Sequence, residues 1–153
     1  MTERRGVLVT GATGLVGARL VRSLRADGVA VHAVTRSGAG RFPHGVQPVV
    51  WDGVRVAPEA LADLDAVVHL AGEPVFGGLP SEARLGRIRD SRTGSTRALV
   101  EAMAALPAER RPRAFVCASA VGYYGSRGDE ILEESAPPGR GFLADVCVAW
   151  EEA

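Results

Sequence analysis

The stretch "VLVTGATGLVGARLV", residues 7–21, decides how the rest of the chain is read. An apolar run ends at Gly11, and Gly14 and Gly17 follow at intervals of three where helical spacing begins. A tight loop can need glycine for steric reasons alone. What gives this loop weight is its context, with a strand before it and a helix opening directly after it. In that setting Gly11 permits the sharp turn, Gly14 lets the backbone approach a pyrophosphate, and Gly17 allows helix and strand to pack closely. The helix start adds unpaired N–H groups and a partial positive charge, both complementary to phosphate. The loop is read as a dinucleotide site.

Working outward, four more β-branched, apolar runs occur at residues 29–35, 46–51, 66–71 and 114–118. With residues 7–10 they make five predicted strands, and their near-continuous hydrophobicity suits parallel strands covered on both faces. Helical stretches separate several of them. In the first, Val16, Leu20 and Leu24 share one face while Arg19, Arg22 and Arg25 point away. Gly28 then stands where a C-terminal cap is expected. "VAPEAL" predicts a short helix with Pro58 near its start. The longest helix begins near Ser81, carries Leu85, Ile88, Leu99, Val100 and Met103, and stops before Pro107. Gly86 and Gly94 lie inside it, each costing about 1 kcal/mol relative to alanine. Residues 126–141 read as a surface loop and residues 142–153 as an amphipathic helix. This alternation predicts the α/β class: a Rossmann-type doubly wound parallel sheet of about five strands, helices on both faces, in one domain over residues 1–153.

Composition narrows the function. Apolar residues make up 46% of the 153 and charged residues 24%, ordinary values for a globular domain. Basic and acidic residues balance at 18 each, so no overall field points to nucleic acid or a membrane surface. No apolar run approaches the roughly 18 residues of a membrane span. "MTERRG" runs straight into the first strand, which predicts a cytoplasmic protein without a leader. Cys117 and Cys147 form no CxxC pair and His residues do not cluster, so reduced thiols and no metal site are expected. The arginines at 84, 87, 89, 92 and 97 are interleaved with Glu82, Asp90 and Glu101 and read as a solvated helix face. All 18 basic residues are arginine; the sequence contains no lysine.

The end of the second strand selects the dinucleotide. An NAD site places Asp or Glu there to accept hydrogen bonds from the ribose 2′-hydroxyl. This chain has Thr35, Arg36 and Ser37 instead. A guanidinium leaves that hydroxyl without an acceptor but pairs with a 2′-phosphate, a charge-assisted contact contributing about 1.5–3 kcal/mol. NADP (as NADPH) is therefore expected rather than NAD.

Taken together, "VTGATGLVG", "VVHLAGEPV" and "FVCASAVGYYG" resemble the extended short-chain dehydrogenase/reductases, the NAD-dependent epimerase/dehydratase superfamily. More narrowly, "HLAGE", "SRTGSTRAL", "SAVGYYG", "GDEILEES" and "FLADVCVAWEEA" are similar to one atypical branch, the NADP-dependent "epimerase family" oxidoreductases. Members of that branch are about twice as long, so the resemblance implies an N-terminal half lacking the C-terminal substrate-binding region. It also implies cofactor contacts. Gly11, Thr13, Gly14, Leu15, Val16 and Gly17 would surround the pyrophosphate, and Thr35 and Arg36 would meet the 2′-phosphate. Asp52 would approach the adenine. Leu70, Ala71, Gly72 and Glu73 would line the ribose and nicotinamide side, with Arg92 at a cofactor-contacting position.

The catalytic pattern of the superfamily fails here. Typical members use a Ser or Thr after the fifth strand and a Tyr-x-x-x-Lys pair on the next helix, the lysine lowering the tyrosine's pKa. Bringing a tyrosine from near 10 to neutrality needs about 4 kcal/mol of selective phenolate stabilisation. An ungapped comparison puts Ala120 at the serine, Leu143 at the tyrosine and Cys147 at the lysine. No shift of register restores a lysine. Arginine supplies charge but does not substitute as a proton-relay partner. Ser119 and Tyr124 remain as candidate catalytic residues, each with a bland alternative: a strand-end cap and a packing aromatic, the latter shared with Tyr123. Glu73 is either an acid–base group or a solvated loop carboxylate, and Cys147 a nucleophile or a buried thiol. Cys117, His32 and His69 read as structural residues, His44 as a loop residue, and Trp51 and Trp150 as core or cleft-edge aromatics.

Three functions follow. The first is an NADP-binding oxidoreductase acting on an unidentified small molecule; the second, a non-catalytic NADPH-sensing or interaction module; the third, a sugar-nucleotide epimerase or dehydratase. A truncated sheet edge would favour association into a homo-oligomer.

Overall fold

The computed structural model describes residues 6–37, 42–79 and 81–153. Strands β1 (Val7–Thr10), β2 (Val31–Thr35), β3 (Val46–Val50), β4 (Ala66–His69) and β5 (Ala114–Cys117) form a sheet ordered β3-β2-β1-β4-β5. Each neighbouring pair is parallel, with Val7 of β1 opposite Val31 on one side and Ala66 on the other. Parallel neighbours require crossovers, and helices supply two of them. Helix α1 (Leu15–Ala26) leads from β1 to β2, and α2 (Glu82–Ala104) from β4 to β5. Helix α3 (Phe142–Glu151) packs on α2 and on a 3₁₀ turn at Val121–Tyr124.

Alternation along β1 sends successive side chains into two separate cores. Leu8 joins Leu61, Leu64, Val67, Leu99, Ala102, Leu106 and Trp51 on the α2 face. Val9 joins Ala12, Val21, Val31 and Ala33 on the α1 face. Full burial of a Leu or Val side chain is worth roughly 1.5–3 kcal/mol, so both faces of the central strand hold the sheet. Local signals close the helices as the sequence predicts. Gly28, at φ +76°, follows the last turn of α1, and the Ser81 hydroxyl accepts from the Arg84 amide at 3.2 Å to start α2.

Four expectations are corrected. Residues 29–30, 51, 70–71 and 118 lie outside the ladders, so four strands are shorter than their apolar runs. "VAPEAL" gives only a 3₁₀ turn, Pro58–Ala60. Coverage on both faces holds for β1 but not for the outer strands, where Val50 is 65% and Val116 52% exposed. Val16 leaves the packed face of α1, which is centred on Gly17 and Val21 instead. No helix is long and apolar enough to cross a membrane among the described residues.

Candidate functional site: the crevice between β1 and β4

The sheet order makes β1 and β4 neighbours whose connections depart in opposite directions, and such a switch point opens a crevice at the strands' carboxyl ends. The glycine loop occupies one wall. Gly11 adopts φ +64°, and a Cβ there would lie 2.8 Å from the Leu70 carbonyl carbon and oxygen. Gly17 is buried, and a Cβ on it would come within 2.2 Å of the Gly11 carbonyl oxygen. Gly14 is the N-cap of α1, its amide donating to the Gly11 carbonyl at 2.9 Å. No side chain caps this helix and no acidic residue stands in its first turn. Its opening amides are therefore free to meet an anion, and the loop fits a pyrophosphate. Leu15 and Val16 stand 94% and 65% exposed at this mouth, apolar surface the core does not use.

On the same edge, the register pairs Thr35 with Val50, which sets the ends of β2 and β3 side by side. Arg36 is exposed just beyond β2, and the Thr35 hydroxyl accepts from the Ser37 amide at 3.3 Å. Asp52 is exposed beyond β3, its carboxylate accepting from the Val54 amide at 2.8 Å. The structure thus gathers Gly11, Thr13, Gly14, Thr35, Arg36 and Asp52 along one rim.

The opposite wall is the lip that follows β4. Leu70 and Ala71 both donate their amides to the Thr10 hydroxyl at 3.1 Å, and Glu73 donates to the Ser91 hydroxyl at 2.9 Å. Arg92 reaches up from α2, donating through Nη1 to the carbonyls of Glu73 and Ile88, each at 3.0 Å. Its guanidinium is wedged between Gly72, where a Cβ would approach within 3.1 Å, and the Trp150 ring, 5.3 Å away. Burial works against the Arg92 charge, while Cys147 and Glu73 favour it. Arg84 donates to the carbonyls of Pro74, Val75 and Phe76. Arg84 and Arg92 therefore depart from the solvated-face expectation, whereas Arg87, Arg89 and Arg97 meet it.

The residues beyond β5 form a different kind of surface. Ser119 is exposed and donates to the Glu151 carboxylate. It lines an open groove of about 490 Å³ with Thr96, Phe115, Cys117, Trp150 and Glu151, and Tyr124 stands outside that groove. The two candidate catalytic residues are not brought into one pocket. Tyr124 instead packs edge-on against Tyr123, ring centroids 5.1 Å apart. Leu143 and Cys147 face the 3₁₀ turn, within 3.6 and 3.9 Å of where a Gly122 side chain would begin. Burial pushes the Cys147 thiol up, Glu151 adds to the rise, and Arg92 opposes it, so Cys147 is the buried thiol rather than an activated nucleophile. Burial likewise raises Cys117, which sits 3.7 Å from the Thr96 hydroxyl.

Sequence reasoning did not single out Thr10, Ser91 or Ser95, which the structure places at the crevice floor. Their signal was present: Ser91 and Ser95 are polar residues spaced four apart on the α2 face that carries Ile88 and Leu99.

The sequence pattern of the NAD dependent epimerase/dehydratase family matches residues 7–142. The chain belongs to that family. The epimerase family protein SDR39U1 homolog, chloroplastic, of Arabidopsis thaliana is 39% identical over 153 residues, covering 95% of this chain and 43% of that protein. Among solved structures, the human epimerase family protein SDR39U1 (isoform 2) with NADPH aligns with a TM-score of 0.77 at 29% identity. That alignment covers 95% of this chain and 47% of the human one. The nucleoside-diphosphate sugar epimerase from Corynebacterium glutamicum aligns with a TM-score of 0.77 at 36% identity, covering 97% of this chain and 30% of that one. The chain thus spans about half the length, or less, of the proteins it matches.

Proposed function

We propose that this family member is the NADP-binding part of an oxidoreductase acting on a small molecule by hydride transfer. The observation that carries the reading is Arg36, a guanidinium at the rim position where an NAD site has a carboxylate. The human relative's structure with NADPH supports the same choice of dinucleotide. In this reading Gly11, Thr13, Gly14, Leu15, Val16 and Gly17 hold the pyrophosphate, Thr35 and Arg36 the 2′-phosphate, and Asp52 the adenine side. Leu70, Ala71, Gly72, Glu73 and Arg92 line the ribose and nicotinamide side. Bound NADPH supplies the hydride. The chain's own residues 70–73, held by the Thr10 and Ser91 hydroxyls, and the Arg92 charge orient the reacting face, while Tyr124 or a group outside this chain handles the proton.

Parallel calorimetric titrations with NADPH and NADH test this. NADPH is expected to bind at least roughly tenfold tighter, the lower end of a charge-assisted contact. Equal affinities, or no heat with NADPH at millimolar concentration, overturn the assignment.

A second reading is favoured by the absence of lysine and by Leu143 and Cys147 at the positions of the usual catalytic pair. It makes the chain a non-catalytic NADPH-sensing or interaction module. Loss of NADPH absorbance in single turnovers with a panel of carbonyl compounds supports the enzyme; tight binding without turnover supports the sensor. Conversion of a UDP-sugar would instead support the epimerase reading that the Corynebacterium relative's name suggests.

A further inference from the structure

Beyond β4 the chain leaves the ladder, and its next amides need partners from elsewhere. Side-chain hydroxyls take three of them: Thr10 for Leu70 and Ala71, Ser91 for Glu73. Thr10 is bonded directly to an imidazole, while Ser91, whose hydroxyl donates to the Ile88 carbonyl at 3.1 Å, is reached from it only through its main-chain carbonyl. The Thr10 hydroxyl lies 2.6 Å from Nδ1 of His69, and Nε2 lies 2.9 Å from the Ser95 hydroxyl. Ser95 in turn donates to the Ser91 carbonyl at 2.6 Å.

Proton directions follow from counting. Ser95 has a single hydroxyl hydrogen, and it is directed to the Ser91 and Arg92 carbonyls, so its oxygen accepts and Nε2 carries the ring hydrogen. Nδ1 is then an acceptor for the Thr10 hydroxyl, leaving the Thr10 lone pairs for the two lip amides. The opposite tautomer would crowd three donors onto the Thr10 oxygen and strand its hydrogen. The imidazole is fully buried and flanked by Trp51 and Phe115, with ring centroids at 6.4 and 6.5 Å.

We propose that His69 is the positioning residue of the crevice: its imidazole, bonded at both nitrogens, fixes Leu70 and Ala71 through Thr10 against the glycine loop. The proposal rests on the reading that this crevice binds NADPH. Loop and lip already touch, since a Cβ on Gly11 would lie 2.8 Å from Leu70 backbone, so a shift of the lip is felt at the phosphate loop. Burial, which pushes His69 down to about 4, agrees with the neutral ring. A histidine that served only as packing would be replaceable by Phe without effect on the crevice.

The test uses the full chain and two independent readouts. Replacing His69 by Phe removes both bonds, and Ser91→Ala removes the far anchor while placing a better helix former in α2. Loss of a buried bond predicts NADPH affinity about tenfold weaker in H69F and about threefold weaker in S91A, compared where both variants remain folded. Without cofactor, hydrogen exchange should quicken at Leu70 and Ala71 in H69F, and at Glu73 alone in S91A. Ring nitrogen NMR of the wild type should report the Nε2–H tautomer. Wild-type exchange rates at Leu70 and Ala71 in H69F, unchanged affinity in H69F, or the Nδ1–H tautomer overturn the proposal. Should H69F not fold, the ring spectrum decides. A wild type that binds no NADPH refutes the cofactor reading separately, because exchange and tautomer are measured without it.

Discussion

Where β1 and β4 end side by side, the lip amides of Leu70, Ala71 and Glu73 each have a hydroxyl partner, and Gly11 and Gly17 leave no room for a Cβ. Where β5 ends, Val116 and Val121 are exposed, Ser119 turns to a surface carboxylate, and the residues at the usual catalytic positions are Leu143 and Cys147. The difference teaches that the cofactor wall is set by many mutually dependent contacts, whereas the wall expected to carry proton chemistry has few. Under the proposed function the first wall holds the dinucleotide; the second is open to another reaction, or to none.

Breaking the cofactor wall should have the largest effect. Gly11→Ala forces a side chain onto the Leu70 backbone at positive φ, so we expect a cost of about 3 kcal/mol and loss of measurable NADPH binding. Urea unfolding and calorimetry check this; a variant as stable as the wild type would falsify the steric account. Next comes acid. His69 titrates near 4 when folded against 6.5 as a free group, so between those values the unfolded chain binds the extra proton. Stability is then complete above pH 6.5 and falls as pH drops toward 4, by about 3 kcal/mol at most. The groups directly around the ring, Thr10, Ser95, Trp51 and Phe115, are uncharged, so H69F should flatten this slope. A smaller effect is expected from Arg36→Asp, which should weaken NADPH binding by one to two decades and leave NADH within a few-fold. Smallest of all, Ser119→Ala on the β5 side should move stability by less than about 0.5 kcal/mol and leave NADPH affinity unchanged. A large loss there would erase the contrast between the two walls.

The first wall was legible in the sequence because its constraints are local. Three glycines between a strand and a helix, and an arginine after β2, are read along the chain, and β1 falls on the expected residues. What the sequence did not disclose depends on contacts between distant segments. Val16 fits the apolar stripe of α1, yet the stripe turns away from the sheet at the helix start, where the crevice begins. Arg84 and Arg92 share the composition of their exposed neighbours and differ only in facing a loop that periodicity cannot place. The Thr10–His69–Ser95 chain joins residues 59 and 26 positions apart, invisible to any local pattern. The turn at Val121–Tyr124 was missed because a single 3₁₀ turn carries too few residues to show a period.

The two tryptophans occupy contrasting surroundings. Trp51 has no partner for its indole nitrogen among the described residues, while Trp150 donates to Thr96 at 3.0 Å and lies beneath the Arg92 guanidinium beside the lip. The molecule therefore carries its own optical gauge: Trp51 should emit steadily at short wavelength, and Trp150 should dim or brighten as Arg92 shifts. Any ligand that disturbs the lip can be followed by intrinsic emission, with Trp150→Phe as the silent control.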